Sequence, residues 1–202
     1  MFVAVPPGSR LPFDPIAEAR RQWLLRWGAV EPMAAATSIM RAQQIVLARV
    51  DGMLRPFQLT FARYEALVLL SFTRNGSLPL GKMGDRLMVH PTSVTNTVNR
   101  LESQGLVRRV AHPTDRRTTL AEITPEGRRL VEKATDVLVE ARFGLASLSD
   151  DEATELTRLV RTLRVAAGDF DEGEAAEAAG AGAAAAGPGP AAGSPSPGTR
   201  TS

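Results

Sequence analysis

Cysteine is absent from the 202 residues, which excludes disulfides, thiolate metal sites and cysteine-based redox sensing. Histidine occurs only at His90 and His112. Two histidines so far apart, without cysteine, are a poor basis for a metal site, and none is expected. No apolar run approaches the roughly 18–20 residues that a membrane-spanning helix needs. The opening stretch, Met1 to Pro7, has neither a basic leader nor a long apolar segment, so no signal peptide is expected and a cytoplasmic location fits. The sequence also lacks a nucleophile elbow and the glycine-rich phosphate loops of nucleotide-binding enzymes. No enzyme activity and no cofactor are therefore expected, and no internal repeat stands out.

Apolar residues make up 44% of the chain, enough to build a core in its middle. The net charge is only +2, and its distribution is uneven. The stretch from Asp171 onward carries −3, leaving +5 for the rest. Between residues 80 and 130, nine basic side chains face five acidic ones. A local basic bias suits a phosphate-binding face, although solvated surfaces are often basic too.

Punctuation along the chain suggests its organisation. Residues 1–13, with Pro6, Pro7 and Pro12, read as a flexible arm. A helix is predicted over about Pro15–Trp27, stopped by Gly28 and Pro32, and a longer one over about Met33–Leu54. In the longer helix Ile39, Ile45 or Val46, Val50 and Met53 fall near helical spacing. Pro56 ends it. Thr60 is placed to cap a further helix over about Phe61–Thr73, with Tyr64, Leu67, Val68 and Ser71 as its inner stripe. Residues 171–202 are rich in Ala, Gly, Pro and Ser. Such a tail buries too little apolar surface to offset its ordering entropy and is expected to be disordered.

The most informative stretch is residues 80–127. Leu80–Leu87 reads as a short helix with Leu80, Met83 and Leu87 on one face, and Met88–Pro91 reads as a turn. Pro91 suits the first position of the next helix, and His90 would cap it. In that helix, Val94, Val98 and Leu101 form one narrow inward stripe. Thr92, Asn96, Asn99 and Ser103 fall opposite, flanked by Thr95 and Arg100, with little acid nearby. Asn and Arg are side chains that bond bidentately to adenine and guanine edges in the major groove. Gly105 stops the helix. Two strands, 106–110 and 118–123, then enclose a loop holding Asp115, Arg116 and Arg117. A hairpin tip with two arginines suits insertion into a minor groove. Thr124-Pro125 is placed to start a long helix, to about Leu148, with an apolar stripe of Leu130, Val131, Ala134, Val137, Leu138, Ala141 and Leu145. Ser149-Asp150-Asp151-Glu152 reads as a capping box opening a last helix, with Leu156, Leu159, Val160 and Leu163 inward.

A helix, a turn, a polar helix, Gly-Leu-Val-Arg-Arg, Pro-Thr-Asp-Arg-Arg and Ile-Thr-Pro-Glu-Gly in that order resemble the MarR family of bacterial regulators. The resemblance covers roughly residues 33–168. Its most specific part is Asp115-x-Arg117 followed by Thr124-x-x-Gly127. It implies a mainly α fold with a small β-hairpin wing, a winged helix-turn-helix joined to a helical dimerisation region. One such domain would span 14–168, with its DNA-binding lobe at about 58–124. The resemblance also implies a homodimeric, sequence-specific DNA-binding transcriptional regulator, a ligand-responsive repressor, acting on a pseudo-palindromic operator in double-stranded DNA. Base and phosphate contacts are then expected from Thr92, Ser93, Thr95, Asn96, Asn99 and Arg100. The wing at Asp115, Arg116 and Arg117 would enter the minor groove, with Asp115 orienting Arg117.

The resemblance implies a small-molecule effector as well. Trp23 and Trp27 on an extra N-terminal helix, with Glu65, are similar to the urate-responsive branch of that family and become the expected ligand-binding residues. Thr97 stands where that branch carries a basic residue.

Blander readings of single residues stand beside these. Asn96 and Asn99 can be simply solvated, Arg108 and Arg109 strand-surface charges or phosphate contacts, Glu102 solvent-facing, and the tryptophans packing for the arm. At the level of the whole chain, the alternatives are a winged helix used as a protein-interaction module, without specific DNA binding, and a ligand-binding protein with vestigial DNA contacts.

Overall fold

The computed structural model describes residues 11–115 and 117–171. Residues 1–10 of the expected 1–13 arm, the tail beyond Asp171 and Arg116 lie outside the described residues. The chain divides into two compact units, the first ending at Ser147 and the second beginning at Leu148.

The first unit opens with helix α1 (Pro15–Trp27), whose Ile16 N–H is capped by the Asp14 carboxylate at 2.9 Å. Helix α2 (Glu31–Leu54) follows and packs against α1. Its core-facing residues are Val50 and Leu54, with Val46 and Met53 partly buried. Ile39, expected on the same stripe, stands exposed; of the alternatives Ile45 and Val46, it is Val46 that turns toward the core and Ile45 that is exposed. A 3-10 turn at Arg55–Phe57 leads to α3 (Phe61–Ser71). Thr60 occupies the cap position, yet its side chain makes no capping bond. The cap comes from Asp51, whose Oδ1 accepts the Phe61 N–H at 2.7 Å. The buried stripe of α3 is Tyr64, Ala66, Leu67 and Leu70; Val68 and Ser71, expected in it, are half-buried.

Three short strands form one antiparallel sheet in the order β1-β3-β2. Strand β1 (Ser77–Pro79) was not expected from the sequence. It pairs with β3 (Thr119–Ile123) in the register Ser77↔Glu122 to Pro79↔Leu120. Strand β2 (Val107–Ala111) pairs with β3 from Val107↔Ile123 to Ala111↔Thr119. Helices α4 (Leu80–Leu87) and α5 (Pro91–Ser103) lie between β1 and β2 in the chain and pack on each other. Leu54, Leu67, Leu70, Met83, Val98, Leu101, Val107 and Leu138 are the largest fully buried side chains. The core of this unit thus joins α2 and α3 to the helix-turn-helix, the sheet and α6 (Pro125–Glu140).

One corner holds these parts in register. The Thr124 Oγ1 accepts the Gly127 N–H at 3.0 Å and donates toward the carbonyls of Gly105 (2.8 Å) and Leu106 (3.1 Å). The Thr124 N–H donates to the Leu106 carbonyl at 3.0 Å. The first turn of α6 is thereby pressed on the turn that ends α5. A Cβ at Gly127 would lie 2.2 Å from the Leu106 carbonyl oxygen and 2.9 Å from Ile123 Cγ1.

Helix α6 ends at Glu140, not near Leu148 as its apolar pattern suggests. Arg142 and Phe143 adopt left-handed conformations (φ 49° and 50°), and Gly144 follows at φ 76°. Arg49 on α2 donates to the Gly144 carbonyl at 2.7 Å, fixing the reversal to the core helix. Val131, Ala134 and Leu138 are the buried part of the α6 stripe; Val137 is exposed.

The second unit is described by helix α7 (Asp150–Ala166) and its flanks. The expected capping box is present: the Ser149 hydroxyl accepts the Glu152 N–H at 3.2 Å, and the Glu152 carboxylate accepts the Ser149 N–H at 2.8 Å. No residue of α7 is buried. Leu156, Leu159 and Leu163, expected inward, are 43%, 51% and 57% exposed within one chain.

The Thr124 corner yields a stability test. Gly127→Ala drives a methyl into backbone that cannot swing aside, and the variant is expected to lose at least about 2 kcal/mol. Urea unfolding of both proteins measures this; a loss under about 0.5 kcal/mol would mean the corner relaxes freely.

Candidate nucleic-acid interface

Helix α5 begins where the sequence punctuates it. Pro91 takes the first position, and His90 Nδ1 accepts the Thr92 N–H at 3.2 Å. Val94, Val98 and Leu101 are buried. Three side chains on one stripe of a 13-residue helix leave most of its circumference for other work. Thr92, Ser93, Thr95, Asn96, Asn99 and Arg100 are all exposed there, while Thr97 is half-buried. The Thr95 hydroxyl donates back to the Pro91 carbonyl at 3.1 Å, so its methyl and a lone pair are what it offers outward. The exposed face is rich in uncharged donors and acceptors and carries one cation, Arg100.

Beside α5, strand β2 carries two arginines, each engaged by a carboxylate. Arg108 meets Glu122 across the strands, Nη2 to Oε1 at 2.5 Å. Arg109 pairs with Glu102 of α5, and its backbone N–H donates to Glu102 Oε1 at 3.0 Å. Glu102 is exposed, as expected, yet it is also paired: it fastens the end of α5 to the outgoing strand of the hairpin. The same Arg109 donates through Nη2 to Asn99 Oδ1 at 2.6 Å. The sequence reading missed this three-residue cluster. Its only signal was an acid seven residues before an arginine, across the Gly105 turn.

The hairpin loop is ordered by its own side chains. His112 Nδ1 faces the N–H groups of Thr114 (3.4 Å) and Asp115 (3.2 Å). Asp115 Oδ1 accepts the Arg117 N–H at 3.0 Å, and Oδ2 accepts the Thr118 hydroxyl at 2.6 Å. The Thr118 hydroxyl, then the Arg117 N–H and the nearby His112 ring, hold the Asp115 carboxyl below its ordinary value of 3.8. Asp115 thus grips the backbone at Arg117 and leaves that side chain exposed. Arg116, expected beside it, lies outside the described residues.

A helix-turn-helix followed by a two-stranded wing on a three-stranded sheet is the winged-helix architecture. The sequence pattern of the MarR family matches residues 59–119. The uncharacterized HTH-type transcriptional regulator YhbI of Bacillus subtilis (strain 168) is 31% identical over 121 residues, 60% of this chain and 75% of that protein. Sco5413, a MarR family transcriptional regulator from Streptomyces coelicolor, superposes with a TM-score of 0.67 at 57% identity, over 71% of this chain and all of that one. The chain belongs to the MarR family. It is a winged-helix, DNA-binding transcriptional regulator and not an enzyme. Another MarR-like structure, CouR from Rhodococcus jostii RHA1 bound to p-coumaroyl-CoA, superposes with a TM-score of 0.57 at 28% identity, over 64% of this chain and 89% of that one.

Within this MarR-family chain, the residues expected to hold an effector are less clearly gathered. Trp23 and Trp27 meet edge to face on α1, with ring centroids 4.7 Å apart. Trp23 is half-buried and Trp27 is exposed. Glu65 lies on α3, where burial pushes its carboxyl above the ordinary value. Two open clefts border the helix-turn-helix. One, of about 560 Å³, includes Asp51, Arg55, Arg63 and Gln104; the other, of about 460 Å³, includes Leu80, Asp85, Met88 and Thr95. Neither is lined by Trp23, Trp27 or Glu65. No helix among the described residues is long and apolar enough to cross a membrane.

The lowered Asp115 carboxyl gives a pH test of the wing. A depressed folded-state value means that the two bonds are fully held above the ordinary carboxylate range and are lost as pH falls through the lowered value. The Arg117 amide resonance, followed by NMR during acidification, is expected to move with a midpoint below 3.8. A midpoint at or above that value would show that the carboxylate does not hold the wing.

Proposed function

We propose that this regulator is a homodimeric, ligand-responsive repressor that reads a pseudo-palindromic operator with α5 in the major groove and the wing in the minor groove. The observation that supports it best is the exposed face of α5: six polar or basic residues, Thr92, Ser93, Thr95, Asn96, Asn99 and Arg100, opposite a fully buried stripe. In this reading those six residues contact bases and phosphates. Arg117, with Arg116 beside it, enters the minor groove, where a narrow, strongly negative groove attracts guanidinium groups. Asp115 acts by setting the backbone from which Arg117 projects.

The helical parts supply the dimer in this reading. In it, residues 14–168 act as one functional module across the two compact units, with the reading lobe at about 58–124, and α7 contributes an apolar stripe that one chain leaves open. A second copy covering Leu156, Leu159 and Leu163 would remove that surface from water. Two α5 helices would then lie roughly 34–36 Å apart, one DNA turn, to match two half-sites. A small effector near Trp23, Trp27 and Glu65 releases DNA if it favours a dimer geometry with a different spacing. CouR, crystallised with p-coumaroyl-CoA, supports ligand response as a property to test in this chain.

Two measurements test the proposal. A gel-shift titration against the DNA upstream of the chain's own gene, at two salt concentrations, compares wild type with Arg117→Ala. Specific binding that weakens with salt and falls at least about tenfold in the variant is expected. A folded protein that shows no preference there, and selects no motif from random duplexes, would instead be a protein-interaction module. For the dimer, Leu159→Lys is expected to yield monomers in analytical ultracentrifugation; an unchanged dimer would exclude α7 from the interface.

A further inference from the structure

The two histidines of the chain stand at the start of α5 and in the hairpin loop, and both turn the same ring atom inward. His90 Nδ1 accepts the Thr92 N–H at 3.2 Å. His112 Nδ1 accepts the N–H groups of Asp115 at 3.2 Å and Thr114 at 3.4 Å. An imidazole nitrogen has a single lone pair in the ring plane, and one that accepts an N–H carries no proton of its own. Each neutral ring therefore holds its proton on Nε2. At neither position does Nε2 have a partner among the described residues. His90 is exposed and His112 half-buried.

The backbone beside each ring is closed to an anion. Pro91 has no N–H, and the Thr92 N–H is taken by the His90 ring. Those of Ser93 and Val94 both go to the His90 carbonyl, at 2.8 and 3.2 Å. The bare N–H groups with which a helix start usually receives a phosphate are thus spent in α5. In the loop, the Arg117 N–H goes to the Asp115 carboxylate and the Thr118 N–H to the Asp115 carbonyl, both at 3.0 Å. The arginines of β2 are also engaged, Arg108 by Glu122 and Arg109 by Glu102. In both elements the Nε2–H is an unspent donor whose place on the ring is fixed by the backbone.

We propose that His90 and His112 bind DNA phosphates as neutral donors, each through its Nε2–H. The proposal rests on α5 and the wing being the elements that meet DNA. A phosphate oxygen has lone pairs and no proton to give, so it fits a ring whose free nitrogen can only donate. Both residues precede, along the chain, those expected to read bases. Contacts of this kind set register and affinity and carry no sequence information. An uncharged ring also releases no counterion of its own, which separates it from a lysine or arginine at the same place.

The test separates cap from contact. A serine hydroxyl accepts the same N–H groups but is too short to reach outward, so His90→Ser and His112→Ser keep the local turn and lose the donor. Gel shifts with the full chain at about pH 8 compare the DNA upstream of its own gene with random duplex. Each variant is expected to bind both duplexes about tenfold more weakly, with the operator preference and salt dependence of wild type retained. Replacing single operator phosphates by uncharged methylphosphonates locates the partners. At one phosphate of each half-site the penalty seen with wild type is largely absent with His90→Ser, and at another it is largely absent with His112→Ser. If a serine variant does not fold, threonine at the same position caps equally and takes its place.

An unchanged affinity means that the histidine is a cap alone. A preference altered at one base pair means that it reads a base, and a salt slope lowered by about one for each ring lost means that it binds as a cation. Any of these overturns the proposal and leaves the reading role of α5 intact. Wild type with no preference for operator over random duplex overturns that role, and the proposal with it.

Discussion

Where Thr124 meets Gly127, a single hydroxyl and a missing side chain decide how closely α6 approaches the end of α5. The Thr124 oxygen serves the first turn of α6 and the carbonyls of Gly105 and Leu106 together. Gly127 removes the only carbon that would keep the two backbones apart. Val107 and Ile123, on either side of this corner, then pair across the sheet and close over the core. The placing of α5 and the aim of the hairpin follow from this contact. A polar face on a helix reads nothing unless the helix is held still, and here the hold comes from behind.

The parts of the fold that are local in origin were legible in the sequence. Pro91 at a helix start, the Thr124 cap and the Ser149 capping box depend on residues within one turn, and each lies where the pattern put it. What was not legible depends on distant partners. Strand β1 has three residues and ends in proline; only pairing with β3 makes it a strand. The cap of α3 comes from Asp51, ten residues back, and not from the adjacent Thr60. The end of α6 is marked by Gly144 alone, because Arg142 and Phe143 take left-handed conformations that their residue types rarely adopt. A periodic apolar stripe also says that a surface is to be covered, without saying by what, and α7 shows the difference.

The candidate interface divides the same way. The helix face and the hairpin tip were readable from spacing and residue type. The state of their side chains was not. Asp115 could be named as the partner of Arg117, but that it grips the backbone and the Thr118 hydroxyl is a matter of hairpin geometry. Asn99 and Arg109 are ten residues apart and meet because the Gly105 turn brings β2 back along α5. Such pairings decide which hydrogen-bond directions remain for a partner, and residue identity alone carries no record of them.

The engagement of Arg108 and Arg109 also bears on how such a protein searches a genome. Binding to random duplex is driven mainly by counterions that phosphates release when cationic groups replace them. A guanidinium neutralised by its own carboxylate contributes little to that exchange. The number of basic side chains between residues 80 and 130 therefore overstates the grip on arbitrary sequence, because Arg108, Arg109 and Arg129 are paired with Glu122, Glu102 and Glu126. Weak adhesion to the wrong DNA shortens each unproductive stop, and a larger share of the total binding rests on the contacts that distinguish one sequence from another.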